Sequence, residues 1–240
     1  LQSAQLRLDV APPDCACSLN ICTRSARQGG VKAGKMKKTL VIVGNGPLAR
    51  DLSSEIDSAD YVLRFNEPRE SIGMSGTKTD LLMLATSSKQ MQQWLKYPTF
   101  LNSAIFRNAQ ELLFAFHPAI IRQFHHRPNF LSRWLKGRRA DWTTKAIEVL
   151  GAQGKEIRIM PPQFYLGVCE ELGITADKMA ELFPSTGFFG IWYMLRNFPQ
   201  SQWNIRICGF SWQGWKHHDW SAERQWIEEK IKSGMITPLI

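Results

Sequence analysis

The chain has 240 residues, 44% of them hydrophobic, with five cysteines and a formal net charge of +9. That composition can fill one sizeable α/β core, and no apolar run reaches the roughly 18 residues of a membrane span. The positive charge favours anionic partners such as nucleotides, phosphorylated glycans or an acidic membrane surface; no nucleic-acid-binding motif accompanies it, so no nucleic acid is expected.

Residues 1–35 mix Pro12-Pro13, Gly29-Gly30 and scattered arginines without a sustained hydrophobic period. They also lack the continuous apolar stretch of a secretory signal. A disordered or non-native extension is expected there, with the natural chain starting at Met36 and a single α/β domain over 36–240. Cys15, Cys17 and Cys22 fall in this leading segment, where three thiolates lack the fourth ligand of a structural zinc site; no metal is expected. Cys169 and Cys208 stand in apolar company as small hydrophobes. An odd, clustered cysteine count is not a disulfide framework, and a reducing, cytoplasmic setting follows.

The run Leu40-Val41-Ile42-Val43 predicts a strand buried on both faces, as in parallel sheets. Gly44-Asn45-Gly46 ends it with small residues that permit a tight turn and close approach of a ligand. Pro47 suits a first helical turn, and Leu48, Leu52 and Ile56 fall four apart on one face of the helix expected to follow. Tyr61-Val62-Leu63-Arg64-Phe65 returns to the sheet and ends in Asn66. Two asparagines, Asn45 and Asn66, thus close adjacent strands at the end where ligands sit in open α/β sheets.

Residues 67–80 are turn-rich, residues 81–84 predict a third strand, residues 91–95 a short helix and residues 104–107 a further strand. The span 120–139 is basic and aromatic, either a solvated helix and loop or a surface for an anionic acceptor or lipid headgroups. Residues 142–150 predict a helix, Ile157-Arg158-Ile159-Met160 a strand stopped by Pro161-Pro162, and residues 164–172 another helix. In Pro184-Ser185-Thr186-Gly187, Ser185 or Thr186 can cap the aromatic helix over 188–198. The free N–H groups of such a start suit a phosphate. Residues 204–210 predict a strand. Asp219 or Ser221 then caps a last helix, with His217 and His218 just before it and Glu223 in its first turn. An oriented histidine there can take a proton from a hydroxyl.

The order Val43-Gly44-Asn45, Ile56-Asp57-Ser58, Tyr61 to Asn66 and Gly76-Thr77-Lys78-Thr79 resembles the long sialylmotif of glycosyltransferase family 29. Pro184-Ser185-Thr186-Gly187 with Gly209-Phe210 resembles the short motif, and His218 to Glu223 the final His-x-x-x-x-Glu pattern. The likeness spans roughly residues 39–232. It implies a Rossmann-like, mostly parallel sheet with helices on both faces, a variant of the nucleotide-sugar glycosyltransferase fold. It also implies a metal-independent, inverting transfer of sialic acid or a related keto-sugar from a CMP donor to a glycan or glycolipid hydroxyl, without a cofactor. By position, Gly44, Asn45, Gly46 and Asn66 would bind the donor, Ser185, Thr186 and Gly187 would cradle its ribose and phosphate, and His218 would be the base with Glu223 in support. His217 could steady the departing phosphate. The family's disulfide is missing, with Leu40 at one of its positions and Phe198 near the other, which fits a bacterial-type member in the cytoplasm, soluble or peripheral at an anionic membrane.

Two other classes compete. Gly44-x-Gly46-x-x-Ala49 also satisfies the dinucleotide fingerprint of an NAD-dependent oxidoreductase, although that fold wants an acidic residue where Asn66 stands. A nucleotide-binding module without catalysis would keep the same turns.

Overall fold

The aliphatic runs become the strands of a single seven-stranded sheet in which every pairing is parallel. The computed structural model describes residues 36–68, 71–87 and 89–240. Expectations for residues 1–35, including Cys15, Cys17 and Cys22, lie outside them. In chain order the elements are β1 (Lys38–Val43), α1 (Ser53–Asp57), β2 (Tyr61–Phe65), β3 (Leu81–Leu84), α2 (Lys89–Lys96), α3 (Ala104–Asn108), β4 (Glu111–Phe114) and α4 (Pro118–Phe124). There follow α5 (Phe130–Lys136), α6 (Thr143–Gly151), β5 (Glu156–Ile159), α7 (Pro162–Glu171), α8 (Thr186–Asn197), β6 (Trp203–Cys208), α9 (Trp220–Lys232) and β7 (Thr237–Pro238).

The spatial order is β5-β4-β3-β2-β1-β6-β7. The chain therefore starts in the middle, steps outward to β5, then returns to the other side of β1. A doubly wound sheet opens a crevice where the direction of winding reverses, beyond the carboxyl ends of the strands; here that is the β1–β6 junction. Alternation along the strands sends Leu40, Ile42, Leu63 and Phe65 to one face, under α4, α7, α8 and α9. Val41, Val43 and Val62 go to the other with Leu52 and Ile56, and Leu82, Leu84, Leu112 and Phe114 pack there against α2, α3 and α6. Helices thus cover both faces, as expected for a parallel sheet.

Two expected elements differ. The helix expected from Pro47 through Ile56 shrinks to α1. The backbone between is tied elsewhere: the Gly46 N–H donates to Gly209 O (2.7 Å) and the Leu52 N–H to Met74 O (2.8 Å). Leu48 and Leu52 still pack against the sheet, but from irregular chain. The strand expected over 104–107 is helix α3, because the Ser103 hydroxyl accepts the Phe106 N–H at 3.2 Å and caps a turn there. The fourth strand is instead Glu111–Phe114, in register with Leu81–Leu84.

Several residues of the long motif serve the scaffold. Asp57 Oδ1 accepts the N–H groups of Thr77 and Lys78, each at 2.9 Å, pinning that loop beside α1. Arg64, 1% exposed, donates to Lys78 O (2.9 Å), Ser75 O (2.5 Å) and Ser75 Oγ (3.1 Å). Burial pulls its pKa down to about 10, so the guanidinium stays charged and holds residues 71–78 under β2. Gly190 sets the approach of α8 to the sheet: a Cβ there would lie 2.3 Å from the Phe65 ring. Among the described residues no helix is long and apolar enough to cross a membrane.

Candidate active site

At the carboxyl ends of β1, β2 and β6 lies a cleft of about 330 Å³, lined by Gly44, Asn45, Gly46, Phe65, Asn66, Ser185, Thr186, Gly187, residues 209–213, His218 and Trp220. The turns after β1 and β6 form its floor by touching. Gly44 donates to Cys208 O (2.8 Å), and a Cβ on Gly44 would meet Gly209 O at 2.2 Å. No other residue lets the two turns come this close. Asn45 Nδ2 donates to Phe65 O (2.9 Å), crossing from the β1 turn to the end of β2. Asn66 has a left-handed backbone, φ 46°, which asparagine tolerates better than most residues. Its N–H donates to Met83 O, and its Oδ1 accepts from the Ala85 N–H at 3.0 Å. Its amide nitrogen is left with no partner among the described residues.

The opposite wall is the start of α8. Ser185 is its cap, with Oγ accepting the Phe188 N–H at 3.0 Å. The serine is itself held from α9: its N–H donates to Glu223 Oε1 (2.7 Å) and its hydroxyl to Glu223 Oε2 (2.6 Å). Glu223 is fully buried, and desolvation pushes its pKa up to about 7 against the pull of those two bonds. With Ser185 so engaged, the N–H groups of Thr186 and Gly187 are the donors left over at this end of the helix.

His218 completes the cleft. Its Nδ1 lies 2.6 Å from Phe183 O. A carbonyl can only accept, so Nδ1 carries the proton and Nε2 is left as an unprotonated acceptor. Rings of Trp215 and Trp220 flank the imidazole at 5.2 and 4.9 Å. Burial lowers the His218 pKa, the Phe183 hydrogen bond partly restores it, and neighbouring His217 lowers it further. The imidazole is therefore neutral at pH 7.

The cleft thus collects eight of the ten residues singled out from sequence: Gly44, Asn45, Gly46, Asn66, Ser185, Thr186, Gly187 and His218. Glu223 stands behind the wall and bonds Ser185, not His218. His217 is absent from the lining; its Nδ1 is engaged with Glu181 O at 2.8 Å. The dinucleotide fingerprint requires a helix opening at its glycines, and residues 44–52 hold none. Among the described residues no group of three His, Cys, Asp or Glu side chains converges to hold a metal ion.

The family model for glycosyltransferase family 29 (sialyltransferase) matches residues 21–225. The chain belongs to that family. It is by that membership a glycosyltransferase. A curated relative, the urease operon 23 kDa accessory protein of Rhizobium meliloti (strain 1021), is 25% identical over 210 residues, covering 84% of this chain and 93% of that protein. Among solved structures, a mammalian sialyltransferase in complex with Gal-beta-1-3GalNAc-ortho-nitrophenol is similar at 15% identity, with a TM-score of 0.47 over 85% of this chain and 69% of that one. A sialyltransferase from Campylobacter jejuni in complex with cytidine-5'-monophosphate is similar at 12% identity, with a TM-score of 0.41 over 84% and 78% of the two chains.

Within this family member the sequence left some working parts unread. The group orienting His218 is a backbone carbonyl, and the residue supplying it, Phe183, carries no polar signal. In sequence Trp215 belongs to Trp212-Gln213-Gly214-Trp215, which only loosely echoes the family's aromatic motif before the final histidine, and Trp220 is one more aromatic residue beside the histidines. The bond between Glu223 and Ser185 joins positions 38 apart in sequence; the His-to-Glu spacing marked Glu223 without revealing what it holds.

Proposed function

We propose that this glycosyltransferase moves sialic acid, or a related keto-sugar, from a CMP-activated donor to a hydroxyl of a glycan or glycolipid, with inversion. One observation carries the proposal: an oriented, neutral imidazole and a helix start whose Thr186 and Gly187 N–H groups are uncommitted line a single cleft at the winding reversal of a parallel sheet. Asn45 and Asn66 meet the cytidine portion, and the N–H groups of Thr186 and Gly187 receive the phosphate, helped by the positive end of the α8 dipole. The acceptor oxygen attacks the anomeric carbon while its proton passes to His218 Nε2. The bond from that carbon to the phosphate oxygen breaks, and CMP departs with the electron pair. Negative charge grows on the phosphate as this happens, so donors at the helix start stabilise the transition state more than the ground state.

Ser185 acts by fixing the helix start, and Glu223 fixes Ser185. His217, held on Glu181, has no contact with the reacting groups in this scheme. No cofactor enters it. A cytoplasmic setting fits the described cysteines, Cys169 and Cys208, both free and buried.

Thermal unfolding with CMP, CDP or NAD⁺ tests the proposal. CMP at about a hundredfold excess over its Kd is expected to raise the melting temperature by roughly 5–10 °C. Stabilisation by NAD⁺ and none by CMP would overturn it.

A further inference from the structure

Among the described residues, helix α5 is the one helix that buries none of its residues. Phe130, Leu131, Trp134 and Leu135 are 76, 62, 75 and 65% exposed. At helical spacing these four lie within an arc of about 140°. Ser132, Arg133 and Lys136 occupy the other side. A seven-residue helix gains little from its own hydrogen bonds, and Asn129 caps it at one end while Gly137 closes it at the other. A local sequence that builds a helix and then leaves its large apolar residues in water is selecting for something that covers them.

The charge around the helix identifies the cover. No aspartate or glutamate occurs between residues 112 and 140, whereas Arg122, Arg127, Arg133, Lys136, Arg138 and Arg139 do. None of these six cations joins an ion pair among the described residues. A second copy of the chain would bring the same positive field against itself. An apolar strip edged by cations that join no ion pair among the described residues (Arg139 rests over the Trp142 ring at 5.6 Å), with a tryptophan among its exposed residues, matches the boundary between headgroups and acyl chains of an anionic bilayer.

We infer that α5 docks this protein onto anionic lipid, with Phe130, Leu131, Trp134 and Leu135 entering the interface and the surrounding arginines and lysine meeting the headgroups. The docking face is connected to the cleft. The segment between α4 and α5 carries His126, whose ring centroid is 6.2 Å from that of His217, beside the proposed base. It also carries His125, packed at 4.8 Å on Phe183, whose carbonyl orients His218. The α5 end is fastened to α2 through Gln92 Nε2 and Lys136 O at 2.9 Å. Docking would therefore hold a lipid-borne acceptor near the cleft rim; only that consequence rests on the proposed transfer reaction.

Co-sedimentation of the full chain with phosphatidylcholine vesicles, with or without about 30% phosphatidylglycerol, separates the possibilities at about 0.1 M salt. The wild type is expected to pellet with the anionic vesicles and not with the neutral ones. Trp134→Ala combined with Leu135→Ser, and separately Arg133→Glu combined with Lys136→Glu, are each expected to weaken this at least about tenfold. Both pairs should leave thermal stability and CMP binding unchanged, because α5 buries no side chain. Absence of vesicle binding would overturn the inference, as would equal binding to neutral vesicles. A wild-type dimer that Trp134→Ala dissociates would overturn it too, assigning the strip to self-association. Failure of CMP to bind would leave the lipid result standing by itself.

Discussion

Glu223→Gln isolates the buried carboxylate behind the helix start. In the native protein its pKa is raised from 4.5 to about 7, chiefly by burial. The native state therefore binds a proton that the unfolded chain has already released between those two values. By linkage the group's contribution to stability is fully present below about pH 4.5, falls as pH rises, and is gone above about pH 7. Each tenfold difference in proton affinity between the folded and unfolded chain is worth about 1.36 kcal/mol, so the loss is roughly 3 kcal/mol. Glutamine cannot titrate. Its carbonyl can keep the Ser185 N–H, but its amide opposes the Ser185 hydroxyl, costing one charge-assisted bond of about 1.5–3 kcal/mol at high pH. Urea unfolding of both proteins at about pH 5 and about pH 8 gives four stabilities, and subtraction removes the other titrating groups. The excess stability of the wild type over Glu223→Gln is expected to be about 2–3 kcal/mol larger at the lower pH. An excess equal at both values, or larger at the higher one, would refute the raised pKa and the burial argument behind it.

Gly190→Ala should destabilise by about 1–3 kcal/mol in urea, since the new methyl meets the buried Phe65 ring; an unchanged midpoint would mean that α8 can lift freely off the sheet. Asn66→Gly keeps a backbone that tolerates φ 46° and removes the amide. Calorimetric CMP affinity should fall about tenfold, with about 1 kcal/mol of stability lost with the Ala85 bond; unaltered affinity would remove Asn66 from the donor site. Because burial lowers the His218 pKa, the acid limb of the transfer rate should lie below the ordinary histidine value of about 6.5. A limb above that value would show that the imidazole is not the group being titrated.

The parts legible in sequence were those written in local pattern. Leu40 to Val43 announces a buried strand by unbroken aliphatic content and Tyr61 to Phe65 by its mostly apolar run, and Ser185-Thr186 announces a capped helix by its place before an aromatic run, with Ser185 the residue that caps it. The misread elements turn on contacts that local pattern does not carry. Pro47 and the four-residue spacing of Leu48, Leu52 and Ile56 describe a good helix, yet the Gly46 and Leu52 amides find partners on β6's turn and on Met74. Ala104 to Arg107 is apolar enough for a strand, but one serine hydroxyl at position 103 starts a helical turn and leaves the sheet position to Leu112 and its neighbours. In the cleft the same division holds. Side chains whose chemistry is specific, such as His218 and Asn66, could be named. The Phe183 carbonyl that orients His218 could not, because every residue has a carbonyl and only the fold says which one arrives.

In the proposed mechanism His218 removes the acceptor proton while other residues hold the donor. Measuring transfer from CMP-sialic acid and CMP affinity together, in the wild type and in His218→Ala, tests it most directly. Transfer is expected to fall by about a hundredfold to ten-thousandfold with CMP affinity kept within a few-fold. Full transfer by His218→Ala, or a wild-type protein that does not bind CMP, would contradict it.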